Sequence, residues 1–293
     1  QSGVIGDVYE VHCWTDRPIW PQGLMKPNDT PKCPKTLDWD LWIGPAQKRP
    51  YNPVYTPWNW RGWWDFGTGA LGDMACHIMD PLYWALDLKY PTSVIGSSTL
   101  SNLYSPPHAQ IVTYTFPARP PKRNVKMPEV KVYWYDGGLM PPRPEELKDG
   151  QMMGDENGGI IFIGTKGKIM TGCYGMNPTL LPVSDMEHFN QPKPTIPRVK
   201  GGNGDIWSTN AHEQDWIRAC KESPENRTEA SSNFQFSGPF NEMVVMGVLA
   251  VRLSGLQGLH RELQWDGENM RFTNISPNDK IKIVTVDDFK VID

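Results

Sequence analysis

The sequence predicts an α+β fold, with a large, mostly antiparallel open sheet and helices on one of its faces. Several strand-like runs follow one another without helices between them, which favours antiparallel pairing. Three helix-like segments are kept apart from these runs, so they are expected to cover one face of the sheet.

The first strand is predicted from alternation along residues 8–14, where Val8, Glu10, His12 and Trp14 share one side. Further strand-like runs are found at residues 110–116, 130–136, 159–163, 168–171 and 281–286. Residues 164–167 separate two of these runs and read as a hairpin turn, with glycine where a positive φ is needed.

The three helices are predicted from apolar periodicity and from their start signals. The first runs from Ala70 to about residue 86. The second begins near Thr209 or Asn210, with Glu213 as a capping-box partner of Asn210. The third begins at Pro239, a residue suited to the first helical position.

The remaining residues are predicted to be loop, and residues 17–65 form a Pro/Trp-rich insertion. Nine prolines in that segment exclude long regular elements. The five cysteines are widely spread without a C-x-x-C pair, which indicates buried free thiols rather than a zinc cluster or a disulfide framework.

Composition excludes several classes of protein. Of 293 residues, 39% are hydrophobic, so the chain is not disordered, and the formal net charge of −4 gives no basic footprint for nucleic acid. No apolar run of 18 residues is present, so no membrane span is predicted. The chain begins at Gln1 without a methionine or a leader, which reads as a fragment or processed product whose localisation is unknown.

The densest chemical signal is a glycine-rich turn that opens the first helix. Asp73 and His77 lie four residues apart on one helical face, and Asp80 follows close to the same stripe. A carboxylate beside an imidazole fixes its tautomer, so His77 is a candidate proton acceptor. A solvated ion pair or a capping contact explains the same spacing, and no third ligand has the spacing that a metal site needs.

Tryptophan gives the second signal, because seven of the 13 lie between positions 39 and 84, around this helix. Flat indole faces suit sugar rings, and they also bury well in a protein core, so both readings stay open. Arg61 is a candidate clamp for a hydroxyl or carboxylate, or a simple partner of Asp65. His212, near the start of the second helix, either lines a cleft or is merely exposed.

At residues 60–80 the sequence resembles the Gfo/Idh/MocA oxidoreductases, a family that includes glucose–fructose oxidoreductase and inositol dehydrogenase. The carrying motif is Gly67-Thr68-Gly69-Ala70-Leu71-Gly72-Asp73-Met74-Ala75-Cys76-His77, a glycine-rich turn that leads into a helix bearing D-x-x-x-H. Residues 3–8, 37–45, 164–167 and 263–266 resemble other parts of the same family.

The resemblance implies that residues 1–293 form the C-terminal substrate-binding and catalytic domain, without the Rossmann domain that binds the dinucleotide. It implies an NAD(P)-dependent dehydrogenase that acts on a sugar or cyclitol hydroxyl by hydride transfer and is inactive without that first domain. Asp73 and His77 would be catalytic, with His77 taking the hydroxyl proton and Asp73 both orienting the imidazole and hydrogen-bonding the substrate. Arg61, Trp63 and His212 would shape the substrate pocket. No cofactor-binding or metal-ligating residue is assigned in this chain, NAD and NADP are not distinguished, and homo-oligomerisation through the sheet face is expected.

Two rival functions stay open at this point, and so does a third possibility, in which the open face of the sheet serves only assembly. Relatives of the same kind perform NAD-dependent glycoside cleavage, in which a tightly held cofactor is recycled. A carbohydrate-binding module without chemistry would use the Trp-rich loop alone.

Overall fold

A computed structural model of the chain describes residues 2–193, 210–254, 256 and 261–279. Over these residues the fold is α+β, as predicted, with a nine-stranded sheet in the order β7-β6-β5-β1-β4-β3-β2-β8-β9. The strands are β1 (Val8–Thr15), β2 (Ser93–Ser98), β3 (Gln110–Phe116), β4 (Val130–Tyr135), β5 (Gly158–Gly164), β6 (Gly167–Gly172), β7 (Thr179–Leu181), β8 (Leu263–Asp266) and β9 (Arg271–Phe272). The helices are α1 (Trp39–Ile43), α2 (Gly69–Ile78), α3 (Asp80–Ala85), α4 (Ala211–Lys221) and α5 (Phe234–Arg252).

The pairing is antiparallel except between β1 and β4, which run parallel with His12 opposite Tyr133. On its other side β1 pairs antiparallel with β5, where His12 lies opposite Ile161. The first strand of the chain therefore lies in the middle of the sheet.

Helices cover one face of this sheet, which is where the main core forms. Apolar residues of α2, α3 and α5 share one buried cluster with alternate residues of β1 to β5. Helix α5 lies so close to β2 that a Cβ atom on Gly96 would stand only 2.6 Å from the backbone of Ala250. The packing therefore requires glycine at position 96.

The opposite face of the sheet is not covered by a helix among the described residues. Trp14, Tyr135 and Ile161 are buried there in a second, smaller cluster. Partly buried apolar side chains surround them, namely Ile111, Tyr133, Met153, Ile163 and Met170.

Two sequence-based helix predictions need correction. The helix expected over residues 70–86 is two helices, because Pro81 has no N–H to offer the His77 carbonyl and the chain turns at Met79. Helix α5 begins at Phe234, not at Pro239, because the Asn233 side chain accepts the N–H of Phe236 at 3.2 Å and caps the earlier turn.

Helix α4 begins where it was predicted to begin, but the predicted capping box between Asn210 and Glu213 is not formed. Asn210 is the N-cap residue and its side chain makes no capping hydrogen bond. The hairpin at residues 164–167 is present, although neither Gly164 nor Gly167 has a positive φ. Gly164 is required instead by the close approach of the Ile5 carbonyl oxygen.

Of the remaining expectations, some are confirmed, some are corrected and one lies outside the described residues. Strands β2, β7, β8 and β9 were not predicted, and the strand expected at 281–286 lies outside the described residues. All five cysteines are free, but only Cys13 and Cys173 are buried, while Cys76 and Cys220 are exposed. Among the described helices, none has the length and apolar character needed to cross a bilayer.

Candidate active site

Helix α2 is fixed at its N-terminus by a buried glutamine. Gly69 adopts a φ of +68°, and a Cβ atom there would lie 2.7 Å from Pro106, so this turn requires glycine. The Gln22 Oε1 atom accepts the N–H of Ala70 at 2.9 Å, and Gln22 is 2% exposed. The helix is therefore held at a defined place against the loop that follows β1.

An ion pair connects α2 to the Pro/Trp-rich segment. The Arg61 Nε donates to the Asp73 Oδ1 at 3.1 Å, and both side chains are about a quarter exposed. The guanidinium carbon lies 4.0 Å from the ring centroid of Trp58 and 4.4 Å from that of Trp60. Two indole faces thus hold the Arg61 cation in place beside the Asp73 carboxylate.

This ion pair lies in an open cleft of about 350 Å³. Trp64, Phe66 and Thr68 contribute to its walls, together with Arg61 and Asp73. The Trp64 indole N–H donates to the Asn102 carbonyl at 3.1 Å, so this wall is anchored to the loop after β2. The cleft combines flat aromatic surfaces with two opposite charges.

His77 is exposed one helical turn after Asp73, and its ring contact is with Tyr174. The two ring centroids are 5.4 Å apart and the planes are nearly perpendicular, at 86°. Within the described part of the chain, no hydrogen bond joins His77 to Asp73. The Asp73 carboxylate is instead paired with the always-charged Arg61 guanidinium, so the orienting role expected of Asp73 stays a prediction.

Asp80 and His212 come together at the far end of this helical stripe. Burial raises the pKa of the Asp80 carboxyl, and the nearby His212 partly offsets that increase. His212 is exposed on α4, with its Nδ1 atom 3.5 Å from the Ser231 hydroxyl. It is not among the residues that line the Arg61–Asp73 cleft.

Trp63 was predicted to contact substrate, and the structure places it in the core. Its side chain is 1% exposed, its indole N–H donates to the Val54 carbonyl at 3.1 Å, and it packs edge-on against Tyr55. The suggested partner of Arg61 is also corrected, because Asp65 is paired with Arg49. Trp63 therefore serves packing, whereas Trp60 and Trp64 line the cleft and Trp58 lies against the Arg61 guanidinium.

Sequence reasoning missed Tyr174 as a neighbour of His77. The only local signal is a glycine on either side of Cys173-Tyr174. These glycines indicate a turn, but not which part of the protein the turn contacts. The contact joins residues almost a hundred positions apart, so no spacing rule reports it.

Neither a metal nor the pyrophosphate of a dinucleotide finds a suitable set of groups in the residues described. No cluster of three or more His, Cys, Asp or Glu side chains that suits a metal ion is present among them. A pyrophosphate binds the free N-terminal amides of a helix that follows a parallel strand. The α2 amide at Ala70 is already bonded to Gln22. Among the described strands only β1 and β4 pair in parallel, and β1 does not lead directly into a helix whose N-terminus could bind the pyrophosphate.

Comparison with known families gives a match to part of the chain. Residues 16–99 match the family model described as the oxidoreductase family, C-terminal alpha/beta domain, of the Gfo/Idh/MocA group. A search of the curated proteins finds no match. The matched segment contains Arg61, Asp73 and His77, and it ends before Tyr174. Residues 16–99, less than a third of the chain, are therefore similar to the C-terminal alpha/beta domain of the Gfo/Idh/MocA oxidoreductases.

Proposed function

We propose that this chain supplies the substrate-binding and proton-transfer groups of an NAD(P)-dependent dehydrogenase that acts on a sugar or cyclitol hydroxyl. The observation that carries the proposal is the arrangement on α2, where the Arg61–Asp73 pair lies in an aromatic-walled cleft one turn before an exposed histidine. Indole faces suit the C–H faces of a sugar ring, and the charged pair suits its hydroxyls.

His77 is the proton acceptor in this proposal. Its imidazole is exposed and has no hydrogen-bond partner among the described residues, so a lone pair is available to a substrate hydroxyl. Proton removal by a positioned imidazole is efficient near neutral pH. This role needs the substrate to reach from the cleft to the next turn of α2.

Asp73 binds the substrate in this proposal. Its Oδ1 atom is taken by Arg61, whereas Oδ2 has no hydrogen-bond partner in the described part of the chain. A fixed carboxylate oxygen accepts a hydrogen bond from a hydroxyl and so selects its position. Arg61 thereby acts on the substrate through Asp73.

The dinucleotide is held mainly by a domain outside this chain, since the described residues do not fit its pyrophosphate. When bound, a nicotinamide takes up the hydride that leaves the carbinol carbon. We therefore expect this chain to be inactive by itself, and the choice between NAD and NADP to be made elsewhere.

The test is nicotinamide reduction by the full-length polypeptide that contains this chain, across a panel of sugars and cyclitols. Sugar-dependent reduction that is lost in His77→Ala, and kept in the control His188→Ala, supports the proposal. His188 is a suitable control because it is likewise exposed and lies on a separate 3-10 helix. No reduction with any substrate, or full activity of His77→Ala, contradicts it.

The two rival functions give different results in the same experiment. Glycoside cleavage without a net change in nicotinamide absorbance indicates the redox-cycling glycosidase. Sugar binding that survives both Asp73→Asn and His77→Ala, without turnover, indicates a carbohydrate-binding module.

We also propose that the chain forms a homo-oligomer through the helix-free face of the sheet. Partly exposed Ile111, Ile163 and Met170 on this face support an apolar contact between copies. Light scattering tests it, and Ile163→Asp is expected to lower the measured mass to that of a monomer. A monomeric wild-type protein would overturn this part of the proposal.

A further inference from the structure

We infer that Tyr174 is a positioning residue of the same site, which holds the His77 imidazole from a backbone turn that is rigidly built. This inference rests on the proposed function, in which His77 is the proton acceptor. It extends the site beyond residues 16–99, to the turn that follows β6.

The first observation is the ring contact itself. Tyr174 meets His77 with the ring centroids 5.4 Å apart and the planes at 86°, the edge-to-face geometry that aromatic pairs prefer. His77 makes no hydrogen bond to protein among the described residues. The ring of Tyr174 is therefore the side chain that restricts the orientation of the imidazole.

The second observation is the backbone of Tyr174, which has φ of 60° and ψ of 17°. This left-handed conformation is unfavourable for a residue with a Cβ atom, and it is rarely adopted by an aromatic residue. Such residues persist only where their surroundings determine the conformation, and they concentrate at functional sites.

Hydrogen bonds hold the turn on both sides of Tyr174. The Asp155 Oδ2 accepts the N–H of Cys173 at 2.8 Å, and Cys173 is 1% exposed. The Gly172 N–H donates to the Met176 carbonyl at 2.8 Å, and the Met176 N–H donates to the Cys173 carbonyl at 3.2 Å. The residues around Tyr174 are thus fixed independently of its side chain.

Close packing brings the turn to the active-site helices. Gly175 has a φ of +71°, and a Cβ atom there would lie 2.9 Å from Pro81 at the start of α3. Because Pro81 follows His77 by one turn, docking at Gly175 brings the neighbouring Tyr174 beside His77.

Core packing does not account for this tyrosine. Its side chain is 45% exposed, so burial in the core is not what places the ring. The contact with His77 gives a reason why a residue with this unfavourable backbone conformation carries a half-exposed aromatic ring.

The experiment uses Tyr174→Gly and Tyr174→Asn, since both residues tolerate a positive φ, and Tyr174→Phe, which keeps the ring. The control is Tyr9→Ala, which removes a tyrosine of nearly equal exposure, 46%, that has no ring contact with His77. The measurements are the NMR chemical shift of the His77 imidazole, the melting temperature, and kcat and KM separately.

We expect the Gly and Asn variants to move the His77 resonance and to lower kcat by about tenfold to a hundredfold with a smaller change in KM. Their melting temperature stays equal or rises because backbone strain is relieved. Tyr174→Phe and Tyr9→Ala keep both the His77 resonance and kcat.

An unchanged His77 resonance in the Gly and Asn variants overturns the inference, as does an unchanged kcat in an active protein. If the wild type itself lacks dehydrogenase activity but the resonance shifts as expected, the proposed function fails and the positioning contact stands. The two failures are therefore distinguishable.

Discussion

The carboxyl group of Asp136 makes the stability of this protein depend on pH. Asp136 is fully buried at the end of β4 and receives hydrogen bonds from the Trp134 indole at 2.9 Å, from the Gln110 side chain at 2.7 Å and from the Gln110 backbone at 3.1 Å. Burial nevertheless dominates and raises the pKa of Asp136 to about 7, from an ordinary value of 3.8.

The sign follows from where the proton is bound. Between pH 4 and pH 7 the folded state keeps the Asp136 proton and the unfolded state has lost it, so folding is favoured at the acidic end. This stabilisation is fully present below the unfolded pKa and is lost as the pH rises through about 7. At about 1.4 kcal/mol per pKa unit, the loss between pH 5 and pH 8 is about 3 kcal/mol.

Asp136→Asn removes the titration and keeps the shape of the side chain. We expect the difference in free energy of unfolding between wild type and variant to change by about 3 kcal/mol between pH 5 and pH 8, with the wild type losing stability. Urea denaturation followed by circular dichroism measures it. The matched control is Asp149→Asn, an exposed carboxylate, for which the difference stays nearly constant. A constant difference for Asp136→Asn as well would refute the reasoning.

Three further outcomes are expected from single substitutions. Arg61→Met keeps a side chain of similar size between the indoles but breaks the ion pair with Asp73. We expect kcat/KM of the full-length enzyme to fall by about tenfold while the protein still folds. An unchanged kcat/KM would contradict the role of Arg61. Trp63→Ala lowers the free energy of unfolding by about 3–5 kcal/mol in denaturant titration. Trp58→Ala lowers it much less, because the Trp58 side chain is 48% exposed. Equal losses of stability in the two variants would show that burial is not the cause. Gln22→Ala leaves buried donors unpaired and costs about 1–3 kcal/mol in the same assay, and a neutral result would show that water replaces the amide.

The strands with strict alternation were predictable, and those shaped by tertiary contact were not. The run at residues 110–116 was predicted with the observed bounds, because inward residues alternate with outward ones along the whole of β3. Strand β2 was missed, since its serines and Gly96 have low strand propensity. It forms because β3 pairs with it and α5 packs directly on Gly96.

The candidate site was located by sequence, but its contacts were not. The glycine turn and the Asp73/His77 spacing were correctly assigned to one helix. Spacing could not report that Arg61 takes the carboxylate or that Tyr174 meets the imidazole, because both contacts depend on how distant segments fold back on α2. The catalytic roles of Asp73 and His77 stay predictions.

The central place of β1 has a consequence for the order of events during synthesis. Its partner residues, such as Tyr133 opposite His12, emerge from the ribosome about 120 residues later. Until then the apolar residues of β1 have no sheet to join, so the sheet closes late and through pairings that are distant in sequence. Until those partners are synthesised, the apolar side chains of β1 stay unpaired, and this is the stage at which the nascent chain is most prone to aggregate.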